Sequence, residues 1–260
     1  MPRPALEDRL RAADVPPQAS PVEAWRLLRR AEGPHATVID LYALVAAPRG
    51  LAAHELPLEE RHGLARSVMP DVWPGFAQTT GSERRHDTIA LADPDPEWAG
   101  RFERWRQVLG SRLGSTARRI EHVGSTSVPG LPAKPIVDIQ VGVADLADES
   151  RYVPALADVG LQLRSRDDLH RYFRPFPDRP RDVHVHVCGE GSPWEREHLL
   201  FRDHLRAHPQ AREAYAVAKR EAADRWADDG VAYTDAKSEV ILTLLEDAER
   251  SSASSGRQQV

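Results

Sequence analysis

Cysteine occurs once in this chain of 260 residues, at Cys188, which excludes an internal disulfide and a thiolate zinc cluster. An excess of positive charge is missing too. The formal net charge of -5 leaves no electrostatic footprint for nucleic acid, so no nucleic-acid partner is expected. No uninterrupted apolar run approaches the ~18–20 residues of a membrane span, so no membrane association is expected. Met1 to Val15 carries Asp, Glu and Arg where a secretion signal needs an apolar stretch, and a cytoplasmic location is expected. What is present suffices for a core: 41% of residues are hydrophobic, in a length that suits one large domain or one domain with an extension.

Residues 1–82 read as a helical extension. Ser20-Pro21-Val22-Glu23 is a capping box with proline at the first helical position, opening a helix that turns Trp25, Leu27 and Leu28 inward. A second apolar segment runs from Val38 through Leu41, Leu44 and Val45 to the stop at Pro48-Arg49-Gly50, and a third helix is predicted over Pro57 to Met69. Trp73-Pro74-Gly75-Phe76 and Gln78 to Ser82 read as a linker. No chemical constellation stands out here, and packing on the main domain or on a partner is the plain reading.

Residues 83–250 are patterned as a mixed α/β domain. Ile89 to Leu91 suggests a short strand, and Asp95-Pro96 caps a helix with Trp98, Phe102, Trp105 and Leu109 on one face. Strands are predicted at both ends of the Gly124 turn, and at Leu161 to Arg164, Arg171 to Phe176 and Val183 to Val187. Asp148 to Val159 reads as a helix ended by Gly160. Ser192-Pro193-Trp194-Glu195 opens a helix through Leu205 that breaks before Pro209; further helices carry Tyr215 to Trp226 and Val240 to Leu245. Residues 251–260, serine-rich and without apolar anchors, read as a disordered tail.

The chemistry concentrates in two alternating strands and one turn. Gly124-Ser125-Thr126-Ser127, followed by Lys134 and then Asp138, suits a phosphate held by backbone amides and hydroxyls beside a carboxylate-bound metal. Val137, Ile139, Val141 and Val143 point to the core, which leaves Asp138 and Gln140 on the open face. Asp182-Val183-His184-Val185-His186-Val187-Cys188 alternates likewise, placing His184 and His186 on one face about 6–7 Å apart. Such a pair can share a metal, bind phosphate oxygens or move protons, or be two half-exposed strand histidines with local hydrogen bonds. Cys188 reads as a small apolar filler. Lys134, Arg171, Arg174, Arg202, Lys219 and Lys237 could neutralise a polyphosphate, although Arg202-Asp203 also suits a structural ion pair.

These residues resemble the GrpB family, whose fold is that of the nucleotidyltransferase superfamily. The resemblance covers roughly residues 87–249. It rests on Ile120-Glu121-His122-Val123-Gly124-Ser125-Thr126-Ser127-Val128-Pro129-Gly130-Leu131 with Lys134-Pro135 and Asp138, and on His184-Val185-His186-Val187. Leu200-Phe201-Arg202-Asp203-His204-Leu205-Arg206 with His208-Pro209, Tyr215 with Lys219, and Tyr233 with Lys237 complete it. It implies an α+β fold, a nucleotidyltransferase-like mixed β-sheet packed with helices. Gly124 and Ser125 would match the glycine-serine motif that holds the triphosphate, and Asp138 the first acid of a two-Mg²⁺ centre. Gln140 departs from that pattern where the second acid would stand, and a glutamine carbonyl is a weaker Mg²⁺ ligand.

The resemblance therefore implies Asp138, His184 and His186 as catalytic residues. Gly124, Ser125, Thr126, Ser127, Lys134, Arg202 and Lys237 would hold a nucleotide or phosphorylated small molecule. Asp138, Gln140, His184 and His186 would be the metal ligands, for one or two Mg²⁺ or a transition metal such as Zn²⁺. Some relatives are fused to dephospho-CoA kinase, but this chain has no kinase P-loop. Three functions follow: a nucleotidyl or related transferase, a divergent enzyme using the His184/His186 pair, or a binding module that has lost turnover.

Overall fold

A computed structural model describes residues 3–79 and 88–256; the predicted linker beyond Thr79 and the last four tail residues lie outside the described residues. In chain order the helices and strands begin with α1 (Leu6–Ala12), α2 (Pro21–Glu32), α3 (Val38–Ala46) and α4 (Leu58–Val72). There follow β1 (Ala77–Gln78), α5 (Glu97–Leu113), β2 (Ala117–Val123), β3 (Val137–Val143), α6 (Val153–Asp158), β4 (Leu161–Arg166), β5 (His170–Pro175) and β6 (Val183–Gly189). The chain ends with α7 (Pro193–Ala207), α8 (Pro209–Arg225), α9 (Gly230–Asp235) and α10 (Ser238–Gly256). None of the described helices is long and apolar enough to cross a membrane.

The chain divides into two compact units. The first comprises Met1–Trp73, His86–Ile89 and Ala218–Val240, so the helical N-terminal region shares its unit with a later segment. The predicted Ser20 capping box is formed, with Glu23 N donating to Ser20 Oγ and Ser20 N donating to the Glu23 carboxylate. Trp25, Leu28, Leu41 and Tyr42 are buried, and Trp25 Nε1 donates to Thr37 O at 2.7 Å. Two buried arginines tie the unit together. Arg9 donates to Asp40 and Glu32, while Arg61 donates to Asp228 at 2.7 Å and Asp229 at 3.2 Å.

The second unit comprises Pro74–Arg85, Ala90–Val217 and Ile241–Val260. Its six strands are ordered β1-β4-β5-β6-β3-β2, with β3 and β6 parallel and every other pair antiparallel. One face is the core. Val137, Ile139, Val141, Val143, Val183, Val185, Val187 and Phe173 meet Trp98, Leu109 and Leu113 of α5 and Leu156 of α6. The alternation that predicted two valine faces is satisfied by this single layer, as period-2 geometry requires.

Three elements differ from the sequence reading. Ile89 to Leu91 forms no strand; Ala92 instead makes an isolated antiparallel bridge to Ala133. Ala77 and Gln78, read as linker, pair with Arg166 and Ser165 and extend the sheet at its edge. The last helix continues to Gly256, into the segment read as a tail; there Ser251 and Ser252 donate hydroxyls to the carbonyls of Asp247 and Ala248.

Candidate functional site

The turn after β2 is built by the hydroxyls that the sequence offered to a ligand. Ser127 Oγ donates to Gly124 O at 2.6 Å, and Thr126 Oγ1 lies 3.0 Å from His122 Nε2. Both side chains are buried, which leaves exposed Gly124 and half-buried Ser125 as the surface of the motif. Gly124 has φ +66°, and a Cβ there would fall 2.4 Å from Asp138 Oδ2. Glycine is thus required both by the left-handed backbone and by the approach of the β3 carboxylate. Tyr215 of α8 is buried and hydrogen-bonds the Ser125 side chain.

Arg202 and Arg206 of α7 hold the turn from behind. Arg206 donates twice to Ser127 O, at 3.0 and 2.8 Å. Arg202, expected at phosphate, donates to Glu121, Asp203 and the carbonyl of His122. The guanidinium is engaged in positioning the motif, in line with the ion pair that Arg202-Asp203 also suggested. Lys237 lies in the first unit, with its ammonium 4.0 Å from the Tyr233 ring centroid.

Parallel pairing sets Asp138 beside His184 and Gln140 beside His186. His184 Nδ1 is 3.1 Å from Asp138 Oδ1, and His186 Nε2 is 3.8 Å from the same oxygen. Asp138 keeps 30% of its side chain exposed. Burial alone would raise the Asp138 pKa, but the two histidines outweigh it and hold the carboxyl well below the usual carboxylate range. Burial pushes His184 down to about 4 against the pull of Asp138. At neutral pH the pair is a carboxylate and a neutral imidazole. With Nδ1–H donated to Asp138, the lone pair falls on Nε2, a buried atom with no hydrogen-bond partner.

Burial disfavours the Lys134 ammonium, Asp138 opposes that shift, and Arg181 and Arg174 add to it. Arg174 Nε donates to Tyr172 Oη at 2.6 Å, and Tyr172 in turn stacks on His186 with ring centroids 5.0 Å apart. Tyr172 and Arg181 are absent from the predicted site, whereas Arg174 was already among the cations that could neutralise a polyphosphate. The β5 residues were open to discovery: Phe173 is core, so alternation puts Tyr172 and Arg174 on the face of Asp138. No sequence pattern marks Arg181.

The family model described as "GrpB protein" matches residues 88–247. The chain belongs to the GrpB family. It is 47% identical to a UPF0157 protein of Streptomyces coelicolor over 60% of this chain and 82% of that one. It is 33% identical to a dephospho-CoA kinase of Mycolicibacterium paratuberculosis over 57% of this chain and 43% of the relative. Among solved structures it resembles the conserved protein GrpB from Enterococcus faecalis, with a TM-score of 0.56, 28% identity, and coverage of 62% of this chain and 98% of that one.

In this GrpB protein Gln140 does not stand in for the second acid. Its side chain is 1% exposed and covered by the start of α7, with Nε2 donating to Glu195 O at 3.4 Å. Gly142 permits that cover, because a Cβ there would meet Glu195 Oε1 at 2.7 Å. The open face expected for Gln140 is therefore closed by packing. Among the described residues no group of three or more His, Cys, Asp or Glu side chains is arranged to hold a metal ion. A two-ion centre on Asp138 and Gln140 does not fit this arrangement. Cys188 is a buried filler whose thiol burial pushes up to about 12.

His122 gives the turn a pH dependence. It stacks on Phe102 at 4.7 Å, and burial lowers it to about 4. A depressed histidine binds fewer protons folded than unfolded, so stability is lost as pH falls from about 6.5 toward 4, by up to about 3 kcal/mol. Urea unfolding across that range is expected to show the loss, and His122→Gln to reduce it, with His184, lowered likewise, keeping its share.

Proposed function

We propose that this GrpB protein binds a nucleotide or other phosphorylated small molecule at the Gly124-Ser125 turn and transfers a nucleotidyl or related group from it. The observation that carries this reading is the exposed glycine-serine turn set against the Asp138–His184 pair, with Arg174 bonded to Tyr172 on the same sheet face. A planar guanidinium group such as that of Arg174 suits phosphate oxygens. Relatives named dephospho-CoA kinase contain the matching region, which supports a nucleotide-derived ligand.

In this reading His184 is the general base. Asp138 orients the ring, and Nε2 takes a proton from the attacking group. His186, also lowered by burial, lies close enough to Asp138 to share that role. The burial of Gln140 favours a second reading, a binding module that keeps the pocket without turnover.

Calorimetry with ADP tests the pocket. Arg174→Ala is expected to weaken binding by about 1.5–3 kcal/mol, ten- to hundredfold. Unchanged affinity would remove Arg174, and the reading with it. His184→Ala separates the two functions: loss of turnover with binding retained marks the transferase, while native protein that binds without any turnover marks the module.

A further inference from the structure

We infer that the exposed ring of His198 is the platform on which the base of a nucleotide stacks, while its phosphates reach the Gly124-Ser125 turn. The inference rests on the phosphate reading above. It narrows the ligand from any phosphorylated small molecule to one that carries an aromatic base.

His198 ends a run of rings that starts on the sheet. Tyr172 of β5 stacks on His186 of β6 with centroids 5.0 Å apart, and His186 lies 5.4 Å from Trp194 at the start of α7. Trp194 is buried between His170, stacked at 5.0 Å, and His198, stacked at 3.7 Å. His198 Nδ1 donates to Trp194 O at 2.8 Å. The stack and the hydrogen bond together fix the plane of a ring that nonetheless stays exposed. Among the described residues Trp194 is its one ring partner, so one π-face is covered and the side chain is held ready for a second.

Helical spacing points this ring toward the turn. Trp194, His198, Arg202 and Arg206 follow one another at i, i+4 spacing and form one stripe of α7. Arg202 donates to Glu121 and to His122 O, and Arg206 donates to Ser127 O. The stripe thus runs from the histidine strand to the glycine-serine turn, with His198 between the two. It stands about 6 Å along the helix axis from Arg202 and about 12 Å from Arg206. A ribose and its phosphates bridge a gap of that size.

The chemistry of the platform selects the ligand class. A neighbouring ring offers a π-face, every nucleobase has one to match, and such stacking gives roughly 5- to 150-fold in affinity. Because Trp194 already holds the His198 ring, little rotamer freedom is lost on binding. A sugar phosphate without a base would leave the platform unused.

Calorimetric titration of the 260-residue chain with ADP and with inorganic pyrophosphate, which has no base, tests this. ADP is expected to bind about tenfold more tightly than pyrophosphate. His198→Ala should weaken ADP about tenfold and leave the pyrophosphate Kd unchanged within about threefold. His198→Phe, which keeps a π-face, should retain ADP within about threefold of the native chain. Where His198→Ala does not fold, His198→Leu keeps the bulk without the π-face and takes its place.

ADP bound no more tightly than pyrophosphate would overturn the platform while leaving the phosphate reading standing. So would an Ala variant that keeps ADP affinity or loses both ligands alike, or a natively folded Phe variant that loses ADP. Absence of binding of both ligands to the native chain would overturn the inference and the phosphate reading together.

Discussion

Gly124→Ala is expected to destabilise the sheet-bearing unit by about 2–5 kcal/mol and to abolish ligand binding. Two costs combine. An L-residue at φ +66° pays about 1–2 kcal/mol, and a Cβ forced against a packed neighbour costs about 1–3 kcal/mol more. The neighbour is Asp138, with Oδ2 2.4 Å and Cβ 2.9 Å from the new atom, so relief of the clash must move the carboxylate off His184. Denaturant unfolding gives the first effect and calorimetry the second. Ala tolerated at native stability would show that the turn does not approach Asp138 as described.

Arg61→Met is expected to destabilise the helical unit by about 3–5 kcal/mol, because it leaves a buried carboxylate without its counter-charge. Arg61 is 3% exposed and Asp229 fully buried. Asp229 keeps the amides of Val231 and Ala232 as donors, which hold α9 but do not neutralise it. Arg61 also donates to Leu56 O and lies over the Trp226 ring. Asp229→Asn in the Arg61→Met background should recover part of the loss, since the charge itself carries most of the penalty. A drop below about 1 kcal/mol in Arg61→Met would place this pair among weak surface bridges.

Much of the site was legible because strand geometry is periodic. Alternation in Val137–Val143 and Val183–Gly189 separated core from functional face, and the Gly124 turn was visible as a break between strands. Which strands pair is not a local property. The match of Asp138 to His184 comes from parallel pairing of segments separated by β4 and β5, and it makes a hydrogen-bonded pair of residues first read as metal ligands. Burial was the other hidden variable. Thr126 and Ser127 turn inward to build the turn, and Gln140 is closed off because α7 packs over Gly142. Arg202 was visible as a cation, but its partners Glu121 and the His122 carbonyl come from a distant strand.

Capping boxes were legible for the opposite reason, since their partners lie three residues apart. Ser20 with Glu23 could be read directly, and at the start of α3 Thr37 N donates to Asp40 Oδ2 over the same spacing. Beyond such local signals the helical unit depends on long-range partners. Asp40 is held by Arg9, and Asp229 by Arg61, across separations that no local pattern encodes.

A crystal structure of the full-length protein soaked with inorganic pyrophosphate tests the central claim most directly. A phosphate is expected beside Gly124 and Ser125, with oxygens about 2.7–3.2 Å from the Lys134 ammonium and the Arg174 guanidinium. The first unit offers an alternative cavity of about 1000 Å³, lined by Arg3, Arg9, Arg225 and Asp235 among others. Pyrophosphate found there, with the Lys134–Arg174 site empty, would contradict the account.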